Sequence, residues 1–147
     1  MSKKDEAMAL FKSGANCSQA VLGVFAEECG LSQSEAMRLA SGFGAGMGRM
    51  REVCGAVSAM VLVANLKYGS DDLQDKKAKD DHYTLIQKLA DEFKKENGSI
   101  VCRELLNLAK NENTSPISEA RTENYYKKRP CVELVGMAAE ILENNLK

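Results

Sequence analysis

Tryptophan is missing from this chain, and aromatic residues make up only 5% of its 147 positions. A core must therefore be built from Leu, Val, Ala, Met and Cys. Histidine occurs once, at His82, so any Cys–His pair would have to use that residue. Charge of one sign is not in excess: 20 basic and 21 acidic residues leave a formal net charge of −1. That balance argues against nucleic acid as a partner, since such partners call for a basic surplus. It gives no hint of an anionic membrane surface either. The longest apolar run, Val53–Leu66, is interrupted by Gly55, Ser58 and Asn65. A membrane span needs roughly 20 residues, so the run reads as a buried helix and no membrane span is expected. The first residues, MSKKDEAMALFKSG, lack the apolar stretch and small-residue cleavage site of a secretory signal. A cytoplasmic location is expected.

What is present is a globular composition, 44% hydrophobic and 28% charged, sufficient for one core. Period-2 runs of β-branched residues are absent, and the apolar spacing is helical throughout. The expectation is an all-α fold, a single-domain bundle over 1–147 with about six to seven helices. A first helix covers about 3–12, with Ala7, Leu10 and Phe11 on one face. Asn16, with Gln19 three residues on, makes a capping box for a second helix that ends at Gly30. A short helix follows Ser32, at about 33–41. After the glycines of 42–48 an apolar helix spans about 49–67 and stops at Gly69. Residues 70–81 form a polar loop. The next helix, about 78–97, turns Tyr83, Ile86, Leu89, Ala90 and Phe93 inward and closes at Gly98. Ser99 caps a helix of about 100–110, with Leu105, Leu106 and Ala109 inward. Residues 111–116 form a loop, and a short helix lies around 117–126. Pro130 suits the first position of a last helix, about 130–145, lined by Val132, Leu134, Val135, Ala138, Ile141 and Leu142.

The five cysteines are Cys17, Cys29, Cys54, Cys102 and Cys131. An odd number, widely spread, does not suit a disulfide framework in a reducing compartment. No CxxC occurs, so neither a zinc ribbon nor a thioredoxin-type site can be read from spacing. Their placement on the helices is more informative. Cys17, Cys54, Cys102 and Cys131 fall at or near helix starts, whereas Cys29 ends a helix beside Gly30. A helix start carries unsatisfied N–H groups and roughly half a positive charge. Both favour a thiolate and can lower a cysteine from its free value of about 8.5. The same N–H groups can donate to sulfurs that hold a metal. Cys29 sits at the unfavourable end. The four are also expected to face inward: Cys17 shares a face with Ala20, Val21 and Val24, Cys102 with Leu105, Leu106 and Ala109, and Cys131 with Leu134, Val135 and Ala138. Plain packing would place them there too, because free cysteine behaves as a small hydrophobe. If the four helix starts meet, four thiolates form the ligand set of an iron–sulfur cluster or of tetrahedral zinc.

The segment VCGAVSAMVLVANLKYG, residues 53–69, resembles the CGAxxG segment of the redox-active C_GCAxxG_C_C family. The order of features around it is similar as well: GANCSQAV, then GFGAGMGRM, then NGSIVCRELL, then RPCVELV. The resemblance covers nearly the whole chain. It implies that Cys17, Cys54, Cys102 and Cys131 are the functional cysteines, with Cys29 outside the set. It also implies a redox role, with an iron–sulfur cluster of the 2Fe–2S type as the leading cofactor. One position departs: Ala59 stands where the motif has glycine, adding a methyl group where helices approach.

The remaining features have plainer readings. GFGAGMG runs GxGxGxG with no preceding strand, unlike a dinucleotide loop. It suits close backbone approach, wrapping around a cofactor, or an anion-binding nest of N–H groups. Arg49 and Arg51 could offset thiolate charge or bind an anionic partner, but arginine is ordinarily a surface residue. Met37, Met47, Met50 and Met60 suit core filling better than metal ligation, and His82 is expected in solvent. Three functions follow. The first is electron transfer through a cluster held by the four cysteines, with a redox partner protein that the sequence does not name. The second is thiol/disulfide chemistry without metal, using Cys54 with Cys17, Cys102 or Cys131. The third is a zinc-stabilised or metal-free interaction module. A homodimer is the common assembly for a domain of this kind.

Overall fold

The computed structural model describes residues 2–108 and 114–146. Eight right-handed α-helices and no strand are present among them, so the all-α expectation holds. They are α1 Lys3–Lys12, α2 Cys17–Val24, α3 Gln33–Ala40, α4 Gly55–Tyr68, α5 Lys76–Asn97, α6 Cys102–Leu105, α7 Glu123–Lys128 and α8 Cys131–Asn145. A 3₁₀ turn, Glu27–Cys29, follows α2 and ends on Gly30 in the left-handed conformation. None of the helices is long and apolar enough to cross a membrane.

Local signals set the helix ends. Asn16 accepts from the Gln19 N–H while the Gln19 side chain bonds back to Asn16, as a capping box does. Ser32 and Glu35 make a second box at α3. Gly98 closes α5 at φ 87°. The core lies where α2, α4 and α8 meet, with α1 packed along α8 and α5 against α4 and α8. Phe11, Val21, Leu22, Met60, Val63, Leu89, Phe93, Val135 and Leu142 are fully buried there. Ala59, the departure from the glycine motif, is also fully buried.

Several expected elements differ. The helix expected at about 100–110 covers only Cys102–Leu105 among the described residues, and the second helix ends at Val24. The helix at 49–67 starts only at Gly55, because Arg49 and Arg51 hold left-handed backbone at φ 67° and 62°. Val53 instead forms an isolated antiparallel bridge with Val101. The helix at 117–126 begins at Glu123, where Thr122 caps the N–H of Tyr125. Residues 114–122 before it carry no helix. Tyr83, expected inward on α5, is 59% exposed; Leu89 and Phe93 are the buried residues of that helix, with Leu85 and Ile86 packed at the core's edge. Ala109 and residues 111–113 of the expected loop lie outside the described residues.

The glycine stretch folds in an unusual way. Ala45, Gly46, Met47, Gly48 and Arg49 are consecutive left-handed residues, a single turn of opposite hand to every other helix. Left-handed backbone costs a non-glycine residue roughly 1–2 kcal/mol. The turn is held by its own hydrogen bonds, Gly48 N–H to Gly42 O at 2.9 Å and Glu52 N–H to Gly46 O at 2.8 Å. Arg49 and Arg51 N–H groups are also spent on carbonyls of the turn. These donors are therefore not left over to form the anion nest that the sequence allowed.

Candidate functional site

Cys17, Cys54, Cys102 and Cys131 line one cavity of about 370 Å³. By the same measure a single water needs only about 10–15 Å³, so the space admits a group of many atoms. Each sulfur comes from a different helix start. Cys17, Cys102 and Cys131 are the first residues of α2, α6 and α8, and Cys54 is the N-cap of α4. Cys29 is absent from the cavity wall. Helix α6 is four residues long, and Ser99 does not cap it: its hydroxyl accepts from Val101 N–H and donates to Glu104.

Small residues bring these starts together. A Cβ on Gly55 would lie 2.8 Å from Phe43 O and 3.1 Å from the Cys17 Cβ. Hydrogen at that position lets α4 approach α2 closely enough to set Cys54 beside Cys17. A Cβ on Gly46 would lie 2.6 Å from Arg51 Cα and 2.7 Å from the Cys102 Cβ. The left-handed turn is thus packed directly on Cys102. Cys54 and Cys102 are tied through the backbone: Cys54 N–H donates to Ile100 O at 2.8 Å, and Cys102 N–H donates to Glu52 O at 2.6 Å.

Burial overrides the helix-start field. Cys54 is raised from 9.0 to about 12, mainly by desolvation, although the N–H groups of Ala56 and Val57 pull the other way. Cys102 is also raised by burial, against the opposing effect of Arg51. Cys131 is held protonated first by its interaction with the Cys17 sulfur and then by burial. The expected low thiol pKa values therefore do not occur at these three positions. The donors are where the sequence placed them, but burial penalises the Cys54 and Cys102 thiolates more than they stabilise them. Cys29 is raised as well, by burial before the charge of Glu28. A three-residue 3₁₀ turn supplies little of the dipole expected there.

Arg51 is only 4% exposed, and its guanidinium donates to the Cys102 sulfur at 3.7 Å. The surface reading fails for this arginine, because the left-handed turn points it inward. Arg49 is half-buried and also lines the cavity. Arg121, Arg129, Glu119 and Tyr125 complete the polar wall, and sequence reasoning missed all four. Arg121 donates to Phe11 O and Ala15 O, both at 3.0 Å, and lies 4.3 Å from the Phe11 ring centre. It pins the irregular segment 114–122 over the corner between α1 and α2. Arg129 pairs with Glu119 at 2.6 Å. Burial, with Cys131 nearby, raises the Tyr125 phenol to about 12. The available signal was Thr122–Glu123, an N-cap followed by an acid, which marks a helix start at 123.

The other candidates lie elsewhere. His82 is half-buried with Nε2 2.6 Å from Asn65 Oδ1, away from the cysteines. Met60 fills the core as expected, whereas Met47 on the left-handed turn and Met50 just after it are 44% and 47% exposed. Among the described residues no three histidine, cysteine or carboxylate groups converge closely enough to hold a single ion. The four sulfurs surround a space rather than meet at a point.

The family model described as "Putative redox-active protein (C_GCAxxG_C_C)" matches residues 15–145. No curated protein and no solved structure matched the chain.

Proposed function

The chain belongs to the C_GCAxxG_C_C family of redox-active proteins, and from that premise we propose that Cys17, Cys54, Cys102 and Cys131 together hold an iron–sulfur cluster for electron transfer. The observation that carries this is the cavity: four cysteines from four helix starts line one partly open space. Its size and the spread of its sulfurs favour a core of several atoms, of the 2Fe–2S kind, over a single zinc ion. When bound, such a cluster would take up and release single electrons. The chain's own residues supply the rest. Cluster ligation would require the thiol protons that burial retains to leave. Arg51, which already donates to the Cys102 sulfur, would then make a charge-assisted hydrogen bond to its thiolate. Ala56 and Val57 present N–H groups to the Cys54 sulfur. Donors of this kind stabilise added negative charge and so raise a reduction potential. The apolar wall of Phe11, Leu105, Leu106 and Leu134 limits water around the sulfurs.

One observation favours a second reading, thiol/disulfide exchange. Cys17 and Cys131 are close enough for their sulfurs to interact directly, as a pair that cycles between dithiol and disulfide must be. The raised Cys131 thiol counts against it, since exchange needs a thiolate. Serine substitutions separate the two. Anaerobically purified Cys17→Ser, Cys54→Ser, Cys102→Ser and Cys131→Ser are each expected to lose most bound iron, while Cys29→Ser keeps it. Iron loss in Cys29→Ser equal to that in the others would break the grouping. Disulfide formation confined to Cys17 and Cys131 in iron-free protein would favour exchange.

A further inference from the structure

The cavity wall carries more positive charge than its partners account for. Arg49, Arg51, Arg121 and Arg129 line it against the single carboxylate of Glu119. Three of these arginines are committed. Arg51 reaches the Cys102 sulfur, Arg129 pairs with Glu119, and Arg121 is spent on two backbone carbonyls and the Tyr126 hydroxyl. The arginines that act on Cys102 and Cys131 are these same three. Arg49 differs. Among the described residues none hydrogen-bonds its guanidinium, and it is partly desolvated within electrostatic reach of Arg51 and Arg129, with Glu119 and the Tyr125 phenol acting the other way. The backbone holds it there at φ 67°, a conformation that disfavours arginine. Strain of this sort is retained where a side chain has to be aimed. Beyond the charged groups the wall is mostly apolar, with Phe11, Leu105, Leu106 and Leu134 outweighing the polar Asn16, Ser41, Ser118 and Tyr125. A pocket of this volume with an apolar lining and few polar anchors is the usual form of a small-molecule site.

We propose that the cavity takes a small organic anion, its oxyanion head bound by Arg49 and its apolar body laid along Leu105 and Leu106 beside the cysteines. The assignment rests on the redox reading in that it names the class of molecule held next to the sulfurs. Binding itself needs only the arginine and the apolar wall. Both a carboxylate and a phosphate monoester have the required head.

Calorimetry on the full chain tests this, using sodium benzoate as the probe, at fixed ionic strength, with iron-loaded and metal-free protein. Benzoate should bind and benzamide, its neutral isostere, should not. Arg49→Asn, chosen because asparagine accepts left-handed backbone, should weaken benzoate by about tenfold or more, the loss of one charge-assisted hydrogen bond. Arg38→Gln, on the exposed side of α3, should bind as the unaltered chain does. Failure of benzoate to bind overturns the proposal, as does equal binding of benzamide or unchanged affinity in Arg49→Asn. Iron content is measured on the same samples. An iron-free protein that binds benzoate through Arg49 leaves this site standing while the cluster reading falls, and an iron-loaded protein indifferent to benzoate does the reverse.

Discussion

Gly46→Ala is expected to destabilise the protein by about 2–4 kcal/mol, the sum of a left-handed alanine and an overpacked contact. The two parts can be separated. Gly46 sits at φ 72°, and its added Cβ would lie 2.6 Å from Arg51 Cα, 2.6 Å from Glu52 N and 2.7 Å from the Cys102 Cβ. Two of those neighbours are backbone, which cannot rotate away. Gly48 has nearly the same dihedral, φ 58°, but nothing within 4 Å of its Cβ position. Gly48→Ala should therefore cost only the dihedral part, about 1 kcal/mol. Ala45 already pays that cost at φ 56°. Urea unfolding of the two variants reads the difference directly. Gly46→Ala should also expose Cys102 to a thiol reagent, because the turn that covers it must shift. Equal destabilisation by the two substitutions would mean that the turn is not packed on Cys102.

The reduced, metal-free protein is expected to lose stability steeply in mild alkali. The sign follows from the direction of the thiol shifts. An unfolded cysteine ionises near about 8.5, whereas Cys54 in the fold stays protonated until about 12. Between those values the unfolded chain has released a proton that the folded chain still holds, so rising pH favours unfolding. The contribution is intact below the unfolded value and is lost progressively as pH climbs toward the folded one. Each such thiol removes about 1.4 kcal/mol per pH unit in that window. Cys102 and Cys131 are shifted in the same direction. Urea midpoints measured from about pH 8.5 to pH 10.5 should fall, and Cys54→Ala should flatten the slope by one thiol's share. Iron-loaded protein should lack this slope, because its sulfurs are already thiolates. A metal-free protein equally stable across the range would contradict the burial account.

The helices with strong end signals were legible in the sequence: Asn16 with Gln19, Ser32 and Gly98 all act at the ends expected of them. Pro130 stands one place earlier than read, as the N-cap of α8, and still leaves Cys131 first in the helix. These local rules put Cys17 and Cys131 at helix starts. The start of α4 was not legible, because apolar periodicity continues through Arg49–Val53 while the backbone there is left-handed and then bridged to Val101. Periodicity reports which residues are buried, not which hand the chain takes. Arg51 was misplaced for a related reason: arginine is mostly exposed, and only the fold reveals a buried sulfur partner. Arg121, Arg129 and Glu119 act from or beside a segment without regular structure, where spacing carries no directional information. The thiol shifts were beyond reach because they depend on how dry the cavity is, a property of all the helices together.

The central claim is that the four cysteines hold one iron–sulfur cluster. Iron, acid-labile sulfide and zinc measured on protein purified without oxygen test it most directly. The expected result is a red-brown protein with about two irons and two sulfides per chain and little zinc. A colourless protein carrying one tightly held zinc, or no metal at all, would contradict it.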